Sequence, residues 1–108
     1  MVKSRTVIFQ NIFEKQGHNI VKYIRIKSPQ NAEKFKKQVL LKTEAIKQNP
    51  KLFPTEKYLY TKRGLYRFSL VMKSWKIIYK ITNSKIVFLG IIHTAQHPRE
   101  IKNLRTPL

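Results

Sequence analysis

The stretch from Gly64 to Pro98 constrains this chain more than any other part of it. Its apolar and aromatic residues recur with a period close to two, in three runs separated by two turn sites. Lys73-Ser74 and Asn83-Ser84 supply the turns, so Leu65 to Met72, Trp75 to Thr82 and Lys85 to His93 read as an antiparallel meander. Upstream, Thr6 to Gln10, with Val7, Ile8 and Phe9, reads as a short and largely buried strand. From Asn11 to about Ile26 the spacing of Ile12, Phe13, Ile20, Tyr23 and Ile24 predicts a helix, weakened by Gly17. Ser28-Pro29 opens a second helix: the hydroxyl accepts from a free amide, and Pro fits the first position. That helix runs to Gln48 on a stripe of Ala32, Phe35, Val39 and Ile46, broadened by Leu40 and Leu41, and Asn49-Pro50 stops it. Lys51 to Arg63 reads as a connecting segment. The order β-α-α-β-β-β predicts an α+β fold, an antiparallel sheet with two helices on one face. Residues 1–108 read as a single domain, with a helical hairpin over about 11–48 and a meander over about 65–93.

Register decides what the sheet exposes. A two-residue turn at Lys73-Ser74 pairs Met72 with Trp75, Leu70 with Ile77, Phe68 with Tyr79 and Tyr66 with Ile81, an apolar face that seats the helices. The open face then collects Arg67, Ser69, Val71, Lys76, Ile78 and Lys80. Carried through Asn83-Ser84, the register puts Ile86, Phe88, Gly90 and Ile92 on the helix side, with Val87, Leu89, Ile91 and His93 on the open side. A last strand apolar on both faces expects cover on both, from the tail beyond His97 or from a partner segment.

Charge narrows the partner. The chain carries 23 Lys and Arg against 5 acidic residues, a formal charge of +18. A magnitude of about 2 to 8 suffices for the solubility of a small domain. The excess is either a solvated Lys-rich surface or a field for nucleic acid, an acidic protein or an anionic membrane. All five acids are scattered Glu, too few and too far apart for a calcium loop or a two-metal carboxylate cluster. The absence of cysteine excludes thiolate zinc sites, disulfides and Cys nucleophiles. The basic N-terminus is followed by no apolar signal-peptide core, and no apolar run reaches the ~18 residues that span a bilayer. The expected setting is the cytoplasm, with no membrane partner and no small-molecule substrate.

The open basic face is the candidate site. Arg67, Lys76 and Lys80, with His93 at the strand end, are placed to grip phosphates, and a cation beside the scissile group stabilises a developing phosphorane. Arg67, Lys76 and His93 are thus the catalytic candidates, and changing Arg67 and Lys76 together to Ala is expected to spare the fold. His93 reads either as a general acid or base or as a structural residue. His93 and His97 lie four apart across a strand end with no third ligand, so no metal or cofactor is expected.

Taken together, several features resemble the RelE/ParE superfamily of type II toxin–antitoxin toxins, of plasmid-stabilisation type. They are the short first strand, Tyr23-Ile24, Ser28-Pro29-x-x-Ala32, Asn49-Pro50, Tyr66-Arg67, Trp75-Lys76-Ile77-Ile78-Tyr79, and Ile92-His93-Thr94-Ala95-Gln96-His97-Pro98. Their order and spacing carry the resemblance, over about Thr6 to Ile101. It implies a growth-inhibiting toxin neutralised by a cognate acidic antitoxin, which would lie along Leu89 and Ile91 or in the groove between helices and sheet. RelE-like members cut messenger RNA on the ribosome with basic residues at places held here by Val71 and Gln96. Lys73 and Arg99, as neighbours, join Lys80 as candidate contacts to nucleic acid or target. ParE-like members poison DNA gyrase without a catalytic constellation, and the ending His93 to Pro98 is more similar to that branch, whereas the high charge suits the ribosome. A plain basic nucleic-acid-binding module is the remaining alternative, without a recognition helix or aromatic RNA platform in its favour.

Overall fold

The structure is a computed structural model, and it describes residues 4–106. Strand β1 (Thr6–Phe9) leads into helix α1 (Asn11–Lys27), then helix α2 (Pro29–Gln48). Strands β2 (Tyr66–Val71), β3 (Trp75–Ile81) and β4 (Lys85–His93) follow, and a short helix α3 (Pro98–Lys102) ends the described chain. The Ser28 hydroxyl accepts from the Asn31 N–H at 3.1 Å, and Pro29 occupies the first turn of α2. A bend of one residue between α1 and α2 leaves them packed side by side over the sheet.

The sheet order is β1-β4-β3-β2. The meander is antiparallel, and β1 joins its far edge parallel to β4, which the long crossover through the helical hairpin permits. Phe13 and Ile20 of α1 and Phe35 and Ile46 of α2 fill the space above Val71, Ile77, Tyr79, Ile81, Ile86, Phe88 and Ile91. At its centre Phe88 stacks on Phe9 with ring centroids 4.7 Å apart. Leu40 and Leu41 do not broaden the α2 stripe as expected; they are 62% and 61% exposed, and Thr43, its hydroxyl bonded to the Leu40 carbonyl, is buried instead.

The hairpin register differs from the sequence expectation by one residue. Met72, Lys73 and Ser74 together form the turn, so Val71 pairs with Trp75, Ser69 with Ile77, Arg67 with Tyr79 and Tyr66 with Lys80. Met72 and Lys73 both adopt left-handed backbone, at φ 51° and 65°. Side chains alternate across a strand, so a slip of one residue exchanges the faces of β2 relative to β3. Tyr66 and Phe68 therefore join the open face, and Arg67 joins the helix side.

A second irregularity sits in β4. Ile78 pairs with Gly90 but Tyr79 pairs with Phe88, so Leu89 is an extra residue, a β-bulge. Beyond it the faces invert: Ile91 packs with the helix-side core and Ile92 with the open-face cluster. The second face of β4 is covered by the chain's own tail. Ile101 and Leu104 pack with Val87, Leu89, Ile92, Ile78 and Tyr66, and Leu59 closes the same cluster.

Candidate functional site

The cations of the open face are built into the fold. Lys76 points to that face as expected, but its Nζ donates to Glu56 Oε2 at 2.9 Å, with the two side chains only 18% and 0% exposed. Its ammonium also lies 4.4 Å from the Phe68 ring centroid. Glu56 is fixed from its other oxygen, which accepts from the Tyr58 N–H and caps the short 3-10 turn Lys57–Leu59. Lys80, 4% exposed, donates to Thr106 Oγ1 at 3.1 Å and lies 5.5 Å from the Tyr66 ring centroid.

Arg67 is a correction. The slipped register places it on the helix side, opposite Tyr79, where its Nε donates to the Gly64 carbonyl and its Nη1 to those of Lys51 and Phe53 at 3.0 and 2.7 Å. It thereby fastens the connecting segment to the sheet. The Tyr79 hydroxyl does the same, donating to the Pro50 carbonyl. Burial pushes the Tyr79 phenol well above its ordinary pKa, and the Arg67 charge offsets this only in part.

His93 is a second correction. The bulge turns it to the helix side, where it meets Trp75 edge-on with centroids 4.7 Å apart, and Trp75 in turn meets Phe35. Its Nδ1 accepts from the Ala95 N–H at 3.0 Å, and its own N–H donates to Gln96 Oε1 at 2.9 Å. His97 caps α3, its Nδ1 accepting from the Arg99 N–H. Both histidines serve the local backbone, and among the described residues no group of three His, Cys, Asp or Glu is placed to hold a metal.

Of the remaining candidates, Lys73 and Arg99 are exposed, the first in the strained turn and the second on α3. Leu89 faces the open side but lies beneath α3 at 1% exposure. Ile91, expected beside it, lies instead on the helix side, where its N–H donates to Gln16 Oε1 at 2.8 Å. It forms the floor of a groove of about 640 Å³ between α1 and α2, walled by Phe13, Val21, Phe35 and Val39. Lys22, Arg25 and Lys36 line the groove as well, together with Glu14 and His18, and Arg25 and Lys36 are both paired with Glu33 in exposed contacts.

Sequence reasoning passed over Glu56 and Tyr66. Tyr66 is 1% exposed, its hydroxyl donating to the Thr106 carbonyl at 3.0 Å and accepting from the Thr106 N–H at 3.1 Å. Burial pushes its phenol up, but hydrogen bonding from the Thr106 side chain and backbone N–H, with the charges of Lys80 and Arg105, outweighs burial and holds it below its ordinary value. The signal for Glu56 was its place as the sole acid between Glu44 and Glu100 in a chain this basic.

The family model for the ParE toxin of the type II toxin–antitoxin system parDE matches residues 7–98. The chain belongs to the ParE toxin family. It is thereby a toxin of the RelE/ParE superfamily of type II systems. Among solved structures, a chain of the chromosomal ParDE TA system from P. aeruginosa is similar at 11% identity, covering 83% of this chain and 96% of that one, with a TM-score of 0.64. YafQ from E. coli strain BL21(DE3) is similar at 22% identity, covering 84% of this chain and 94% of its own, with a TM-score of 0.52. At these identities the likeness is one of fold. A search of curated proteins finds no match. No helix among the described residues is long and apolar enough to cross a membrane.

Proposed function

We propose that this ParE-family chain inhibits bacterial growth by binding and poisoning DNA gyrase, without cutting RNA, and that an acidic antitoxin holds it inactive. The observation that carries this reading is the internal use of the catalytic candidates. Lys76 is neutralised by a buried carboxylate, Arg67 is bound to three carbonyls on the helix side, and His93 is turned into its own loop. A nuclease that works without a metal needs cations and a proton carrier presented to the scissile phosphate. Val71, fully buried, and Gln96, spent on His93, add nothing to such a set.

The antitoxin seat is the groove between α1 and α2, with Ile91 on its floor. An amphipathic helix docking there buries apolar residues against Phe13, Val21, Phe35 and Val39 and sets acidic ones against Lys22, and against Arg25 and Lys36 in exchange for their exposed contacts to Glu33. The protein acts in the cytoplasm, where both partners reside.

Controlled expression in a bacterium tests the reading. Growth arrest with filamentation and induced DNA repair is expected, relieved by co-expression of a small acidic protein encoded beside the toxin. Rapid loss of translation with cut messages marks the RelE-like nuclease instead, and normal growth sinks the toxin reading altogether.

A further inference from the structure

At the end of the sheet away from His93, the approach to β1, the approach to β2 and the β3–β4 turn enclose a cleft of about 530 Å³. Its lining includes Arg5, Lys51, Arg63 and Arg67, and none of the five Glu. We propose that this cleft is a binding site for the backbone phosphates of a nucleic acid. The proposal stands apart from the toxin's target, and of the residues first expected on the open face it uses only Arg67, which the register places on the other side of the sheet.

Two observations distinguish the cleft from the general positive surface. The first is its electrostatic makeup: four cations converge on one concavity with no carboxylate among them, an arrangement whose self-repulsion a bound anion relieves. On the helices, by contrast, Glu33 and Glu44 interrupt the positive surface, in the pairs Arg25–Glu33, Lys36–Glu33 and Lys47–Glu44. The second is preorganisation. Arg5 is held by a hydrogen bond from Nε to the Thr82 carbonyl at 2.9 Å, and Arg67 by the carbonyls of Gly64, Lys51 and Phe53. Both guanidinium groups are therefore oriented before any ligand arrives, which lowers the entropy lost on binding. The Arg67 bonds use Nε and Nη1; Nη2 lies beside Gly64, where a Cβ would come within 3.2 Å of it. Gly64, at φ +63°, thus keeps open the space next to that nitrogen.

Guanidinium forks match phosphate oxygens, and each phosphate neutralised releases counterions from the nucleic acid. An acidic protein segment has the same sign of charge but also needs apolar anchors, which Phe13, Val21, Phe35, Val39 and Ile91 offer in the groove between α1 and α2, whereas the cleft has only Leu65 and Ile81 beside its four cations.

The test compares two double variants that change net charge equally. K51E/R63E alters the rim of the cleft, while K34E/K37E alters the exposed face of α2. Anisotropy of a short fluorescein-labelled DNA duplex gives affinity over a range of salt. The expected result is a loss of about tenfold or more for K51E/R63E, with a salt slope smaller by roughly 2, against a loss under about threefold for K34E/K37E. Equal losses would show a diffuse field and overturn the proposal. Two competitors complete the test: displacement of the duplex by millimolar pyrophosphate would make a free phosphate compound the ligand, and equal displacement by poly-glutamate would make the cleft a general anion site. Either overturns the assignment. Thermal melts confirm folding, and if the charge reversals unfold the chain, K51Q/R63Q against K34Q/K37Q makes the same comparison.

Discussion

Lys76 Nζ meets Glu56 Oε2 at 2.9 Å on the open face of the sheet, and that bond turns the best-placed cation of this face into part of the framework. Glu56 also accepts Tyr66 as a partner through the backbone, its N–H donating to the Tyr66 carbonyl at 2.9 Å. The connecting segment is thus tied to β2 and β3 by one acid.

Removing either charge of this pair leaves the other in a poorly solvated place. E56L and K76M are each expected to cost about 3 kcal/mol, and the double variant E56L/K76M is expected to recover most of that, because two apolar groups of similar size leave no orphaned charge. A double-mutant cycle by urea denaturation measures the coupling. Additive losses would show that the pair does not act as a unit.

R67A is expected to destabilise by about 2–3 kcal/mol, through loss of three charge-assisted bonds to loop carbonyls, and R67K should not restore them because a single ammonium cannot span the fork. Denaturant melts read the stability, and amide exchange reads the loosening of residues 50–56. The sequence expectation that Arg67 and Lys76 are dispensable to the fold is reversed by these contacts.

Lys73 holds left-handed backbone at φ 65° with an exposed side chain. K73G should therefore stabilise the protein by about 0.5 kcal/mol, since the relief of roughly 1–2 kcal/mol of strain exceeds the entropy of the added glycine. A rise in the thermal midpoint checks it. Gly90 behaves in the opposite sense: a Cβ there would meet Gln16 Oε1 at 2.7 Å and Leu104 at 2.9 Å. G90A is expected to cost about 1–3 kcal/mol by prising the α1 and tail contacts off the bulge.

The two buried tyrosines act oppositely in alkali. Tyr79 has a raised pKa in the fold, so its contribution is complete below the ordinary tyrosine value of 10.0 and is lost as pH rises beyond it. Tyr66 has a lowered pKa, so its contribution is complete above 10.0 and is lost as pH falls through its folded value. Y79F should then flatten the alkaline loss of stability, while Y66F should steepen it. Melts between about pH 8 and pH 11 separate the two.

The elements were legible because their signals are local. Ser28-Pro29 and Asn49-Pro50 bracket α2, and the period of two marks the strands, so the β-α-α-β-β-β order needed no tertiary information. The faces were not legible, because they hang on register. Met72 and Lys73 adopt left-handed backbone without being Gly or Asn, so nothing in their chemistry announces a three-residue turn. The bulge at Leu89 did carry a signal in Gly90, since a lone glycine inside a strand marks such a break. One slip and one bulge moved Arg67, Ile91 and His93 across the sheet, while Lys76 and Lys80, on the strand between, kept their face. Their contacts are to Glu56 and Thr106, distant residues that no local pattern connects to them.

The most direct test of the account is the purified protein in two parallel reactions, gyrase supercoiling of plasmid DNA and translation on ribosomes programmed with a defined message. The account predicts inhibited supercoiling with trapped, cleaved plasmid and an intact message. A message cut on the ribosome by the wild-type chain, with gyrase unaffected, would contradict it.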